Sequence, residues 1–571
     1  MHTRREQKMK ETMEILFGLF GGLAVFIFGM NMMSECLQKA AGEKMKAVLS
    51  LLTKNPVLGV LAGALTTAVL QSSSATTVMA IGFVSAGLMT LPQAISIILG
   101  ANIGTTMTAQ IIAFKISDYI YLIVFIGFLI HFVSKSEKIK NIGQTIFAFG
   151  LLFLGIETMG GVMKPLAGSP VFTDMIAKVA DIPILGVCVG TLMTLVVQSS
   201  SATIAVLQNF ASQAGPDGVH SIIGLAGAIP ILLGDNIGTT ITALLASVGQ
   251  SKDAKRTAAA HSIFNISGAA LFIWLIRPYA DLIARISPKG NEVDVISRQI
   301  ANAHTGFNLT MTIIWIPLIP IMVKIVMKLV PEGKITMQKL PGVPKYLDDK
   351  LIGQPVAALH LVAKEVVRCS DIVQEMLFAF KEGSSKDDAT LLHDITEKVE
   401  IENNLNERIT EYLSTMYSEG VLTEEQANQS TGIMYVLCDI DRIADLCKEL
   451  SESMLNQKGK KQKYSKEALK ELRKAVGLIL DMYEEAMRAI ISGEEIAQEA
   501  IREKREEIMQ LDEKLKKAHA QRVVNKKCDA NKTVAYNNVL HNISRMGNSC
   551  INLVESAQSQ VDFRVFLAEE A

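Results

Sequence analysis

Hydroxyl and amide side chains occur twice in the same short order within apolar sequence. The motif Gln-Ser-Ser-Ser-Ala-Thr stands at residues 71–76 and again at 198–203, 127 positions later. Each copy is followed by the motif Asn-Ile-Gly-Thr-Thr, at residues 102–106 and 236–240. Polar segments in corresponding positions of two apolar repeats are typical of transporter sites near the middle of the membrane. The motifs therefore predict one polar site at the interface of two related repeats.

The four polar residues of each Gln-Ser-Ser-Ser motif favour a break in the helix. A hydroxyl or amide without a partner in apolar surroundings costs about 2 kcal/mol or more, and four consecutive residues cover every face of a helix. Irregular backbone at membrane depth is tolerated where protein or a wet cavity covers it. A broken helix or re-entrant hairpin at each motif meets both conditions. The alternative is a Ser-rich packing interface that lets helices approach closely.

The ligand class follows from the residue types in the motifs, which contain neither Arg nor Lys. Hydroxyls, amides and the N–H groups of helix N-termini can bind an oxyanion. The oxygens of the same side chains, with backbone carbonyls, also suit Na⁺. Gly104 and Gly238 would allow close backbone approach or a turn, and Thr105 and Thr239 would suit a helix cap.

Asp235 makes the two repeats unequal, because Ala101 occupies the equivalent position. A carboxylate within a membrane segment is costly and indicates a functional site by default. Asp235 would attract Na⁺ or H⁺, and the alternative is a residue at the water boundary. Glu157, opposite Asn31 in the repeat, raises the same question.

The chain of 571 residues has 49% hydrophobic residues and a net charge of −1. These values average an apolar first half and a charged second half. A spanning helix needs about 20 largely apolar residues. We predict an N-terminal tail at 1–14, a membrane domain at 15–330 with repeats at about 15–133 and 140–276, a Pro- and Gly-rich linker at 331–345, and a charged helical domain at 346–571. The candidate spans are Ile15–Met33, Tyr119–Val133, Ile142–Met163, Thr257–Ile276 and Phe307–Val330.

A further internal similarity joins residues 261–265 to residues 304–308. Each segment has His first, Phe fourth and Asn fifth, and each opens an apolar helix. Residues at i, i+3 and i+4 share one helix face. The shared face predicts either hydrogen bonds between helices or a position near the transport path.

The region after the linker has the pattern of a helical bundle. Apolar residues from Leu359 to Phe380 recur on one helix face. Residues 438–445 match residues 541–548, which predicts two similar three-helix units. The seven cysteines are scattered without a metal or disulfide spacing, which favours reduced thiols. The fold class predicted for the whole chain is therefore all-α.

The paired motifs closely resemble those of the sodium/phosphate cotransporter family, the bacterial relatives of the type II transporters. The resemblance covers about residues 15–330. It implies two inverted repeats with re-entrant helical hairpins around one phosphate site, with Na⁺ as the coupling ion beside it. The phosphate- and sodium-binding residues it implies, with Asp235 added from the asymmetry above, are Gln71, Ser72, Ser73, Ser74, Thr76, Asn102, Thr105, Thr106, Gln198, Ser199, Ser200, Ser201, Thr203, Asp235, Asn236, Thr239 and Thr240.

The soluble half resembles PhoU, the helical regulator of phosphate uptake. The acidic helix motif of that family appears as Asp441 and Asp445, with Asp439 nearby. Side chains at i and i+4 share a face and could bind a divalent or ferric ion through oxygen. The second copy has Ser544 and Asn548 instead of the two acids, which argues against a paired cluster. The alternative is a solvated or salt-bridged face of aspartates.

The function these observations favour is Na⁺/phosphate symport, regulated by a cytosolic PhoU-like domain. Phosphate export and phosphate sensing by a membrane signalling protein are the alternatives. The expected location is the inner membrane, crossed several times. The partners considered are phosphate, sodium, the lipid bilayer, and a second copy or a phosphate-signalling protein; no nucleic acid is expected. Enzyme motifs such as a Walker A lysine, HExxH or GxSxG are absent from the sequence.

Overall fold

The structure is a computed structural model, and helices make up nearly all of the chain it describes. Within that part, pairing of extended backbone is limited to one bridge between Ala214 and Ser221. The chain divides into two units, residues 1–334 and 335–571. The structure describes residues 2–49, 55–85, 89–114, 116–167, 178–179, 181–215, 217–331, 342–386, 389–420, 422–455, 465–492, 498–528, 530, 533–559 and 563.

Thirteen α-helices are described in the first unit, and the order of their motifs follows the internal repeat. Helices α1–α4 carry the first copy, and α6–α9 carry the second. The helices are α1 (His2–Leu49), α2 (Pro56–Leu70), α3 (Ser73–Ser85), α4 (Leu91–Ile112), α5 (Ile120–Val133), α6 (Glu137–Ala167), α7 (Pro183–Val197), α8 (Ser200–Ala211), α9 (Gly224–Ala246), α10 (Lys252–Phe272), α11 (Ile276–Ile286), α12 (Glu292–Trp315) and α13 (Ile319–Leu329), with a 3₁₀ turn at Ser117–Tyr119.

Among the described residues, four helices are long and apolar enough to cross a membrane. Their apolar stretches are Met13–Leu37, Leu91–Ile112, Ile139–Met163 and Gly224–Ala246. The first and third confirm the predicted spans Ile15–Met33 and Ile142–Met163. The other two are helices α4 and α9, which carry the Asn-Ile-Gly-Thr-Thr motifs and are absent from the predicted spans.

The three remaining predicted spans are not straight, full-length helices. Helix α5, within the predicted span Tyr119–Val133, has only 14 residues. The predicted spans Thr257–Ile276 and Phe307–Val330 cross sharp bends, since α10 meets α11 at 92° and α12 meets α13 at 86°. Apolar composition continues through both bends, so the hydropathy pattern contained no sign of them. Counting each bent pair as one span raises the number of candidate spans to six.

Glycines allow α2 to pack closely on α4, and α7 on α9. A Cβ at Gly63 would lie 2.1 Å from the carbonyl oxygen of Ile97, and one at Gly190 would lie 2.0 Å from that of Ile231. A Cβ at Gly104 would lie 2.6 Å from the carbonyl oxygen of Ala64. The predicted close approach at Gly104 is therefore confirmed. Small residues at helix crossings are a common packing device in membranes.

The second unit contains six described helices, and the division into two similar three-helix units stays a prediction. Helix α14 presents Leu359, Val366 and Phe380 to the core, each 0–1% exposed. The predicted core face of this helix is thus confirmed. Residues 332–341 of the predicted linker lie outside the described residues. The helices are α14 (Pro355–Lys386), α15 (Ala389–Ser418), α16 (Glu424–Leu455), α17 (Lys466–Ser492), α18 (Gln498–Val524) and α19 (Thr533–Ser559), with a 3₁₀ turn at Asp349–Leu351.

Candidate functional site

Both Gln-Ser-Ser-Ser motifs lie at breaks between two short helices. Gln71 ends α2 with φ 51°, and Gln198 ends α7 with φ 54°, both in the left-handed region. Non-glycine residues seldom adopt this conformation. The chain turns at each Gln and starts a new helix within two residues. The motifs therefore form the tips of two helical pairs, α2–α3 and α7–α8, in agreement with the predicted hairpins.

The second residue of each motif caps the helix that follows. The Ser72 hydroxyl accepts a hydrogen bond from Ala75 N at 3.1 Å, and the Ser199 hydroxyl accepts one from Ala202 N at 3.3 Å. The first turn of a helix has N–H groups without an intrahelical partner, and the cap satisfies one of them. The remaining N–H groups of α3 and α8 give each tip a partial positive charge.

A threonine pair repeats behind each tip. The Thr67 hydroxyl donates to the Thr76 hydroxyl at 2.8 Å in the first copy. The equivalent residues in the second copy, Thr194 and Thr203, lie 3.1 Å apart. All four side chains are buried. Thr76 and Thr203 therefore join the two arms of each pair.

Asp235 departs from this symmetry in three dimensions as well as in sequence. The Thr194 hydroxyl donates to Asp235 Oδ1 at 2.6 Å, and Asp235 is fully buried. The other oxygen, Oδ2, has no hydrogen-bond partner in the described part of the chain. Ala101 occupies the same place in α4 and is also buried. Full burial favours a functional carboxylate over a residue at the water boundary. Glu157, by contrast, is exposed.

The two repeats interlock around the tips. The Thr242 hydroxyl of α9 donates to the Ser74 hydroxyl of α3 at 3.1 Å, which joins the second repeat to the first motif. Gln208 Nε2 of α8 donates to the carbonyl oxygen of Ala109 in α4 at 3.1 Å. Each hairpin thus contacts the long helix of the other repeat. This arrangement fits one interface shared by two repeats.

The Asn-Ile-Gly-Thr-Thr motifs lie inside α4 and α9. Both helices continue through Gly104 and Gly238, so Thr105 and Thr239 do not cap a helix, and the expectation of a turn or cap here is wrong. The glycines remain helical because their role is to let α4 pack closely on α2, and α9 on α7. Five of the polar residues in these motifs are buried: Asn102, Thr106, Asn236, Thr239 and Thr240.

The two histidine segments contact these same motifs. His261 Nε2 lies 3.3 Å from Asn102 Oδ1, and His304 Nε2 lies 3.2 Å from Asn236 Oδ1. All four side chains are at most 5% exposed. The predicted hydrogen bonding between helices is confirmed. The sequence contained both motifs, but nothing in it indicated that one pairs with the other.

The soluble half places Asp441 and Asp445 near a carboxylate that sequence reasoning missed. Glu402 of α15 is fully buried, and neither of its oxygens has a hydrogen-bond donor among the described residues. Burial raises the pKa of Glu402 to about 8, and repulsion from Asp441 and Asp445 adds to this shift. Burial and the neighbouring Asp441 also raise the pKa of Asp445. The signal that could have found Glu402 is its position on the buried stripe of α15.

Asp439 faces a different neighbour. Its carboxylate accepts a hydrogen bond from Asn552 Nδ2 of α19 at 3.2 Å. Burial raises its pKa, and the hydrogen bond from Asn552 partly offsets that rise. In the described ranges no group of three or more His, Cys, Asp or Glu side chains is arranged to bind a metal ion.

Comparison with known proteins gives matches to both halves. A family model described as Na+/Pi-cotransporter matches residues 25–161 and 159–287, and one described as PhoU domain matches residues 366–454. The uncharacterized protein YqeW of Bacillus subtilis is 32% identical over 319 residues, 56% of this chain and 99% of that protein. No solved structure matches.

Two further relatives carry functional names. The putative inorganic phosphate export protein YjbB of Salmonella typhimurium is 23% identical over 512 residues, which cover 89% of this chain and 91% of that protein. The sodium-dependent phosphate transport protein 2A of Rattus norvegicus is 39% identical over 101 residues, 17% of this chain and 15% of that protein.

Proposed function

Because the chain belongs to the Na+/Pi-cotransporter family, we propose that its membrane half carries inorganic phosphate across the cell membrane together with Na⁺. The observation that carries this proposal is the pair of broken helices at the Gln-Ser-Ser-Ser motifs. The two tips carry the same polar residues; Ser74 of the first contacts the second repeat, and the helix that follows the second tip contacts the first repeat, which supports one site shared by both.

Each tip offers groups for both ions. Unpaired carbonyl groups at the end of α2 or α7 carry partial negative charge and suit Na⁺, whereas the N–H groups at the start of α3 or α8 suit an oxyanion. The hydroxyls of Ser73 and Ser200 lie in the first turn of those helices. A phosphate could therefore be bound without a lysine or arginine in the motifs.

Asp235 is the residue we assign to the coupling cation. Its Oδ2 is buried without a partner, and a buried carboxylate requires a cation or a proton to neutralise it. A Na⁺ bound there would lie close to the second tip, because Thr194 contacts both Asp235 and Thr203. Na⁺ at this position would make binding of the two ions mutually favourable.

The soluble half is proposed to be a cytoplasmic PhoU-like regulator attached to a transporter of the inner membrane. Its partner would be a second copy of the chain or a phosphate-signalling protein. A divalent or ferric ion would bind through Asp441 and Asp445, whereas Asp439 is engaged with Asn552. Because Ser544 and Asn548 replace the two acids in the second copy of the motif, we expect one weak metal site at most.

Phosphate export is the second candidate function. The relative named as a putative inorganic phosphate export protein aligns along 89% of this chain, so the alignment extends into the soluble half. The same binding site can serve either direction, since the gradients set the direction of a coupled carrier. A purely sensory membrane protein would bind phosphate without moving it.

Flux of ³²P-phosphate in proteoliposomes containing the full chain separates these functions. We expect uptake that depends on an inward Na⁺ gradient and collapses when the gradient is dissipated. Efflux driven by an outward Na⁺ gradient, with negligible uptake, would favour export. Saturable phosphate binding with no flux in either direction would support sensing and contradict transport.

A further inference from the structure

Asn102 and Asn236 are locked in one amide orientation by two hydrogen bonds each. Asn102 Nδ2 donates to the carbonyl oxygen of Ile98 at 2.9 Å, and Asn236 Nδ2 donates to that of Leu232 at 3.0 Å. The opposite end of each amide, Oδ1, faces a histidine Nε2 from another helix. An amide oxygen only accepts, so Nε2 of His261 and of His304 must carry the hydrogen.

Rotating either amide by 180° would break both bonds at once. The amide nitrogen would then face the histidine N–H, and the amide oxygen would face a backbone carbonyl. The contact between the two oxygens would be repulsive whichever ring nitrogen of the histidine carries the hydrogen, and it would leave a buried carbonyl without a donor at a cost of about 1–3 kcal/mol. The backbone carbonyl, which can only accept, therefore sets which end of each amide faces it, and the histidine N–H holds the amide oxygen at the other end.

The locked orientation leaves a donor available. An amide nitrogen carries two hydrogens, and the contacts within the described chain use one of them on each Asn. Asn102 is 5% exposed and Asn236 is 4% exposed, so the second N–H is not directed to bulk water. A buried, oriented N–H suits an oxyanion and disfavours a cation.

From this geometry we infer that His261 and His304 are positioning residues, which fix Asn102 and Asn236 as N–H donors to phosphate oxygens rather than as Na⁺ ligands. The inference rests on the proposed function. It also gives neighbouring residues on α9 opposite tasks, because Asp235 offers a bare acceptor to the cation and Asn236 offers a donor to the anion. Each histidine lies outside the repeated motifs, on α10 or α12, so each motif depends on a third helix for its orientation.

Two substitutions at His304 separate a positioning role from a packing role. His304→Leu removes the donor to Asn236, whereas His304→Gln places a side-chain N–H at a similar reach. Loss of one neutral hydrogen bond corresponds to about a fivefold to tenfold change in affinity. For the full chain in detergent at saturating Na⁺, we expect His304→Leu to raise the Kd of ³²P-phosphate by about that factor. His304→Gln should restore affinity to within about threefold, and the Na⁺ concentration at half-saturation should change less than twofold in both.

Thr312→Val is the matched control. Thr312 lies on the same helix as His304 and donates to the carbonyl oxygen of Leu99 in α4 at 3.3 Å, so its loss also removes a buried inter-helix bond. We expect its phosphate affinity to equal that of the wild type. If His304→Leu does not fold, Asn236→Asp replaces the free N–H by an acceptor and should abolish phosphate binding while Na⁺ binding persists.

Three results would overturn the inference. These are equal phosphate affinities in His304→Leu and His304→Gln, an equal loss in Thr312→Val, or a shift in Na⁺ dependence larger than that in phosphate dependence. A wild type that binds another oxyanion but no phosphate would overturn only the proposed substrate, and the variants are then compared with that anion. A wild type that binds no oxyanion at all would contradict both.

Discussion

The two repeats of the membrane half retain their polar side chains, whereas the two similar helix segments of the soluble half, on α16 and α19, retain their apolar ones. Thr67 and Thr76 recur as Thr194 and Thr203 with the same contact. In the soluble half, Ile440, Cys447 and Leu450 recur as Ile543, Cys550 and Leu553, all buried. The acids Asp441 and Asp445 recur only as Ser544 and Asn548.

This difference indicates what each duplication does. A repeated core requires only apolar side chains of suitable size, and the soluble half meets that requirement. Repeated buried hydroxyls and amides are costly without a partner, so their presence in both membrane repeats indicates that both contribute to one site. In the soluble half, the second copy of the motif contributes apolar residues to the core. The acidic residues Asp441 and Asp445 lie in the first copy.

The largest effect is expected from removing one hydroxyl from each tip. Ser73→Ala combined with Ser200→Ala deletes two donors from the proposed phosphate site. Two lost bonds to an anion, at about 1.5–3 kcal/mol each, predict at least a hundredfold weaker phosphate binding. Equilibrium binding of ³²P-phosphate measures this effect.

Ser212→Ala with Ser262→Ala is the control, because each hydroxyl donates to the carbonyl group four residues earlier in the chain. We expect affinity close to the wild type. If the control loses as much affinity as the tip variant, the motifs have no special part in binding.

A matched pair of glycines compares the packing of the two halves. A Cβ at Gly190 would lie 2.0 Å from the carbonyl oxygen of Ile231, whereas one at Gly547 would lie 3.6 Å from its nearest neighbours. We expect Gly190→Ala to destabilise the fold by about 3 kcal/mol or more. Gly547→Ala should be neutral or stabilise its helix by about 0.5–1 kcal/mol. Thermal unfolding of the full chain measures both, and similar midpoints for the two variants would contradict the proposed packing difference.

Asp235→Asn tests the charge difference between the membrane repeats. With Na⁺ as the partner, losing a charged contact should raise the Na⁺ concentration for half-maximal uptake about tenfold and leave phosphate affinity nearly unchanged. With H⁺ as the partner, the pH dependence of uptake should flatten and the Na⁺ dependence should remain. Asp217→Asn, in an exposed loop, is the control. Curves identical to the wild type at two pH values would leave Asp235 without a coupling role.

The smallest effect is expected in the soluble half. The native pKa of Glu402 is about 8, above the ordinary value of 4.5, so the folded state binds the extra proton between these values. Stability should therefore fall as the pH rises from about 4.5 to 8, and Glu402→Gln should remove that loss. With a chelator present, we expect Glu402→Gln to be more stable than the wild type at pH 9, and to show a smaller difference from it at pH 5. An equal gain at both pH values would exclude titration of Glu402 as the cause.

Metal binding tests the same acids. Titration of the full chain with Mn²⁺ or Fe³⁺ should report at most one weak site, and Asp441→Asn should remove it. Two or more tightly bound ions would show that the second copy of the motif binds metal although Ser544 and Asn548 replace its acids.

Local pattern was sufficient to predict the all-α fold, the two hairpins and the core face of α14. Left-handed Gln71 and Gln198 lie where the polar motifs interrupt apolar sequence, and Leu359 to Phe380 follow simple helical spacing. Both are properties of a few consecutive residues, which a sequence displays directly.

Contacts between distant helices were not predictable in the same way. The Asn102–His261 and Asn236–His304 pairs join residues 159 and 68 positions apart, and no spacing rule relates them. The bends after Phe272 and Trp315 occur within apolar runs, and the sequence marks them through Pro278 and Pro317 rather than through hydropathy. Glu402 and Asp441 are neighbours because α15 packs against α16, and the sequence does not show that packing.

The distance between the two tips tests the central claim most directly. Spin labels attached at Ser73→Cys and Ser200→Cys in a cysteine-free background report this distance, and a short bifunctional reagent should join the same two positions. If both motifs line one phosphate site, the labels should lie within about 20 Å of each other, as expected for a single site between two repeats, and phosphate should protect the pair from the reagent. A separation well beyond that distance, with crosslinking unaffected by phosphate, would contradict a shared site.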